Sequence, residues 1–69
     1  MSQDARSKIA KNVEKLRLTK TLGKEELSLL LGFDNSYISK LEKSKINITI
    51  DRLEKIAKYF SVDIRMLLK

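Results

Sequence analysis

The sequence has no cysteine, histidine, proline or tryptophan, and only two glycines, two tyrosines and two phenylalanines among its 69 residues. Without cysteine there is no disulfide, and without cysteine or histidine the usual ligands of structural zinc are missing. A chain of this length holds one domain, read here as residues 1–69, and buries only about 60% of its unfolded surface. Its stability must come from close helix packing, helped by a partner subunit. The lack of cysteine fits a reducing compartment. No apolar run approaches the roughly 20 residues that cross a bilayer, and Met1 to Lys11 lacks the apolar centre of a secretory signal. The expectation is a soluble cytoplasmic protein with no membrane association. With glycine only at positions 23 and 32 and no proline, nothing resembles a linker or a low-complexity tract.

The missing residue types also leave little for catalysis. There is no histidine base, no cysteine nucleophile, no glycine-rich phosphate loop and no serine with a base beside it. Glu25 and Glu26 are the nearest thing to paired carboxylates, and adjacent positions splay apart on a helix. The expectation is therefore no enzyme, no cofactor, no metal and no small-molecule ligand.

What the chain has in excess is positive charge: fifteen Lys and Arg against nine Asp and Glu, a net charge of +6. Such an excess suits a polyanion, because each neutralised phosphate releases counterions. Solubility alone is the plainer explanation of surface lysines.

Hydrophobic spacing predicts an all-α, compact five-helix domain. Ile9, Val13 and Leu16 recur at i, i+4, i+7 and mark a first helix over about residues 5–20. Leu27, Leu30 and Leu31 mark a second over 24–31, with Gly23 as N-cap and Gly32 in the left-handed position that ends a helix. Asp34 caps a third over 35–44, whose buried stripe is Ile38 and Leu41. The alternating INITI segment at 46–50 has a strand-like pattern but no partner strand, so it reads as an extended connector whose isoleucines plug the core. Thr49 caps a fourth helix over 50–60, with Leu53, Ile56, Ala57 and Phe60 on one face. Asp63 caps a last helix over 63–68 that carries Ile64, Leu67 and Leu68.

The third helix carries the functional pattern. With Ile38 and Leu41 turned inward, Ser36, Ser39, Lys40 and Lys43 point outward, and Asn35 stands at the exposed N-terminal end. Asn, Ser and Lys offer the donors and acceptors that base edges and phosphates require. A short second helix joined to it by a tight Gly-Phe-Asp turn has the shape of a helix-turn-helix.

The stretch LGKEELSLLLGFDNSYISKLE, Leu22 to Glu42, resembles the helix-turn-helix of the Cro and phage-repressor (Xre-like) family. The resemblance runs from about residue 9 to 68. Within the family, YISKLEKSKINITIDRLEKIA is most similar to restriction–modification controller proteins, which are small dimeric regulators. It implies a phage-repressor-type fold that binds double-stranded DNA with the third helix in the major groove. Asn35, Ser36 and Lys40 would then face bases, with Ser39 close by. Lys24, Lys43 and Lys45 would face phosphates. The Tyr37 hydroxyl either touches a phosphate or lets the ring pack beside Leu41. Arg17 matches a family position that pairs with the Glu matching Glu42, a structural ion pair rather than a DNA contact.

Three positions depart from the family pattern. Lys24 replaces a Gln, Ser28 replaces a small Ala at the helix crossing, and Ser61 stands where Gly commonly ends the fourth helix. A left-handed backbone at Ser61 would cost roughly 1 kcal/mol. Family members work as two-fold dimers on palindromic sites, which implies a homodimer here. Met66 falls on nearly the opposite side of an ideal helix from Ile64, Leu67 and Leu68, and Tyr59 sits off the fourth helix's apolar stripe. Both are candidate dimer contacts. The sequence leaves one other class open: a helix-turn-helix used as a protein-interaction module, such as a coactivator or an antitoxin.

Overall fold

Four α-helices and a closing 3-10 helix form where the hydrophobic spacing places them. The computed structural model describes residues 5–69: α1 (Ala5–Thr19), α2 (Lys24–Leu30), α3 (Tyr37–Glu42), α4 (Ile50–Tyr59) and a 3-10 helix (Ile64–Leu68). The expected all-α class holds, with the fifth helix tightened to a 3-10 turn. Ile9 and Val13 from α1, Leu27 and Leu31, Ile38 and Leu41 from α3, Leu53, Ile56 and Phe60, and Leu67 meet in the core. Burying a large aliphatic side chain contributes about 1.5–3 kcal/mol, so this set dominates the folding energy.

Polar residues start the helices. Gly23 precedes α2 in an extended conformation, and its N–H donates to Glu26 Oε1 at 3.3 Å. Thr49 Oγ1 accepts from the Arg52 N–H at 3.2 Å. Asp63 accepts from the Arg65 N–H at 2.8 Å and from its guanidinium at 2.9 Å. These bonds satisfy amides that a helix start leaves without partners.

All four α-helices end alike. Thr21, Gly32, Ser44 and Ser61 take positive φ (55°, 78°, 58° and 57°). The following residues, Leu22, Phe33, Lys45 and Val62, return their N–H groups to the carbonyls of Arg17, Ser28, Lys40 and Ala57. This is the double hydrogen bond of a Schellman turn, and glycine occupies only one of the four left-handed positions.

Several expectations need correction. Leu30 is 55% exposed, because Ser28 takes its place on the inward face of α2 beside Leu27 and Leu31. Leu68 is 42% exposed. A 3-10 helix turns about 120° per residue, which aligns Leu67 with Ile64 and swings Leu68 outward. Within the 46–50 connector, Ile46 and Ile48 pack on the core, whereas Ile50 opens α4 at 65% exposure. No strand forms among the described residues.

Candidate nucleic-acid interface

Short helices rely on their neighbours for position, and α3 has only six residues. Three contacts place it. Ile38 and Leu41 are fully buried against the core. Ser28 Oγ, also fully buried, donates to the Lys24 carbonyl at 2.9 Å and accepts from the Ile38 N–H at 3.0 Å. One helix thus supplies the cap that Ser36, the residue preceding α3, does not make with its own side chain. The small residue at this crossing is a polar clasp between the two halves of the motif.

The third contact is the Arg17–Glu42 pair. Arg17 Nε and Nη2 donate to the two Glu42 carboxylate oxygens at 2.8 and 3.1 Å, and Nη1 donates to the Leu22 carbonyl at 2.7 Å. Both side chains are more than nine-tenths buried. Glu42 raises the Arg17 pKa above its ordinary value through the hydrogen bonds, against the opposing effect of burial. The guanidinium fork ties α1, the turn after it and α3 into one frame.

α3 starts at Tyr37 rather than near residue 35, so Asn35 and Ser36 lie in the turn before it. Asp34 organises that turn: its Oδ2 accepts from Ser36 Oγ at 2.7 Å and from the Ser36 N–H at 3.3 Å. These bonds hold the Asp34 carboxyl below its ordinary pKa. Asn35 and Lys40 are exposed, and Ser36 and Ser39 are half-buried. Lys43 and Lys45 are exposed on either side of the left-handed Ser44. The structure therefore gathers Asn35, Ser36, Ser39, Lys40, Lys43 and Lys45 on the turn and outer side of α3. Lys24 stands exposed at the start of α2, but shares that first turn with Glu25 and Glu26.

Tyr37 is a correction. The residue is 8% exposed, and its hydroxyl is buried with no hydrogen-bond partner. Its ring packs against Phe33, with centroids 4.8 Å apart. The ring belongs to the core, and the hydroxyl lies beneath the surface where no phosphate reaches it. Over the two rings sits the Arg52 guanidinium, 4.8 Å from Tyr37 and 5.1 Å from Phe33, with Lys55 5.6 Å from Phe33. These cations from α4 border the turn of the motif, and no spacing along the chain marks them. Phe33 and Arg52 are nineteen positions apart in the chain, and only the packed fold brings them together.

The two expected dimer residues part company. Met66 is 49% exposed. Tyr59 is partly buried, edge-on to Phe60 at 5.1 Å, with Lys20 5.7 Å above its ring. Among the described residues, no helix is long and apolar enough to cross a membrane.

Residues 13–67 match the model of the helix-turn-helix family. Over 55 residues the chain is 36% identical to a hypothetical transcription factor of Neisseria meningitidis serogroup B (strain ATCC BAA-335 / MC58). The match takes in 80% of this chain and 52% of that protein, so the chain spans about half the length of this curated relative. The crystal structure of the hypothetical transcription factor NHTF from Neisseria superposes with a TM-score of 0.91 at 34% identity, covering 97% of this chain and 77% of that one. The restriction–modification controller protein C.AhdI from Aeromonas hydrophila superposes at 0.81 with 29% identity, covering 90% of this chain and 94% of that one. The likeness to controller proteins read from residues 37–57 thus extends to the three-dimensional fold.

Proposed function

The chain belongs to the helix-turn-helix family, and from that premise we propose that it regulates transcription by reading double-stranded DNA, as a homodimer on a palindromic operator. One observation carries the reading. The outer side of α3 and the turn before it present Asn, Ser and Lys to solvent, while the inner side is locked by Arg17–Glu42 and Ser28. A rigid polar helix of this kind fits the major groove. Asn35 pairs with adenine through both groups of its amide, and Lys40 donates to guanine O6 or N7. Ser36 keeps its hydroxyl hydrogen on Asp34 and offers a lone pair to a base amine. Ser39 lies one position from Lys40. Lys24, Lys43 and Lys45 attract phosphates; Lys45 has no acidic neighbour in sequence, and the Glu42 carboxylate beside Lys43 is already bonded to Arg17. Met66 supplies exposed apolar surface for a two-fold contact, with the partly buried Tyr59 as the second dimer residue.

The deciding experiment is selection of bound duplexes from a random pool, repeated over a salt series. The expected result is an enriched palindrome with half-sites about 34–36 Å apart, and affinity that falls steeply with salt. Asn35→Ala and Lys40→Ala are expected to relax base preference, each by about 1–3 kcal/mol. Lys45→Ala is expected to weaken all sequences alike. Failure of the folded protein to enrich any sequence would overturn the operator reading and favour a protein-interaction module.

A further inference from the structure

α1 carries a second basic surface that the motif does not use. Lys8, Lys11 and Lys15 lie within about 60° of one another on an ideal helix, opposite Ile9, Val13 and Arg17. They form a row about 10 Å long. Asn12 Nδ2 donates to the Leu67 carbonyl at 3.0 Å and holds the 3-10 helix against α1. That contact sets Lys69 across an open groove of about 300 Å³, lined by Lys8, Lys11, Asn12, Lys15 and Lys69.

None of these four lysines has an ion-pair partner among the described residues. Glu14 is the one acidic residue of α1, and its field acts on Arg17. Asp63 is near enough to Lys69 to feel its charge, yet its carboxylate is already bonded to Arg65. Like charges three and four residues apart oppose a helix, and a polyanion relieves that opposition. The lysine row also turns away from the motif. α3 meets α1 through Glu42 and Arg17; on ideal helices Lys40 points about 160° away from Glu42, and the lysine row about 150° away from Arg17. Lys40 and the lysine row thus both point away from the contact between the two helices.

We propose that Lys8, Lys11, Lys15 and Lys69 form a second phosphate-binding face for duplex DNA, so that one molecule grips two DNA segments, one on α3 and one on α1. Duplex DNA carries one charge per 1.7 Å of axis, so several phosphates face a row of this length. No apolar residue lines the groove to enter a lipid surface. A first segment bound at α3 raises the local concentration of further segments on the same DNA. The proposal goes beyond the operator reading and shares with it only the class of ligand.

The test is a titration of the ¹⁵N-labelled full chain with a 16-base-pair duplex at low salt, followed through backbone amides. Amides around Lys8, Lys11 and Lys15 are expected to shift as a second, weaker event after those of α3. Lys8→Glu/Lys11→Glu/Lys15→Glu is expected to abolish the second event, with the first changed less than twofold and circular dichroism unaltered. Shifts confined to α3 at duplex excess would overturn the second face and leave the operator reading standing. Shifts confined to α1 would overturn the operator reading and, with it, the two-segment grip. Tighter binding of the lysine row to phosphatidylserine vesicles than to the duplex would overturn DNA as its ligand.

Discussion

At the scale of single residues, the chain shows how far a buried polar group depends on its partner. Glu42→Ala strands the Arg17 guanidinium, which is 7% exposed, and the expected loss is about 3–5 kcal/mol in urea unfolding. Arg17→Met/Glu42→Leu removes both charges and is expected to recover most of that loss. Tyr37 presents the reverse case. Its hydroxyl already lacks a partner, so Tyr37→Phe removes an unmet group and is expected to stabilise the protein by roughly 1 kcal/mol. Thermal unfolding checks it, and any destabilisation would show that the hydroxyl finds a partner in solution.

At the scale of elements, the helix ends offer the clearest margin for improvement. Thr21, Ser44 and Ser61 bear a Cβ in left-handed turns where Gly32 does not. Substitution of each by glycine is expected to raise stability by about 1 kcal/mol, most at Thr21, whose branched side chain tolerates that region worst. The 3-10 helix has its own pH dependence. Arg65, through its side-chain and then its backbone hydrogen bond, lowers the Asp63 pKa to about 2. A folded pKa depressed below the unfolded value of about 3.9 contributes stability above that unfolded value and loses it as pH falls through the folded one. The 3-10 helix is therefore expected to loosen between about pH 4 and 2. The Arg65 amide shift is the readout, and a pH-invariant signal across that window would refute the coupling.

At the scale of the whole molecule, the homodimer reading makes dimerisation decide the working affinity. Met66→Glu is expected to raise the dimer dissociation constant at least tenfold, which is about 1.4 kcal/mol. Sedimentation over a concentration series measures it, and an unchanged constant would remove Met66 from the interface. The same scale explains what the sequence disclosed. Helices α1 and α4, the caps at Gly23, Thr49 and Asp63, and the left-handed Gly32 were legible because each depends on residues within a turn or two. The hydrogen bonds of Ser28, the sunken Tyr37 hydroxyl and the cations of α4 over Phe33 were not. Each depends on a neighbour brought close only by packing. At Ser61 the family resemblance implies a left-handed position usually held by glycine, and its φ of 57° agrees.

The side chains of α3 divide without overlap. Tyr37, Ile38, Leu41 and Glu42 face inward and hold the frame, whereas Ser39 and Lys40 turn outward with Asn35 and Ser36 before them. A change at Asn35, Ser39 or Lys40 leaves these framework contacts in place, whereas one at Ser36 also loses the bond to Asp34. Under the operator reading, target preference can therefore drift or be reprogrammed by exchanging a handful of surface residues, with the scaffold kept as an interchangeable holder.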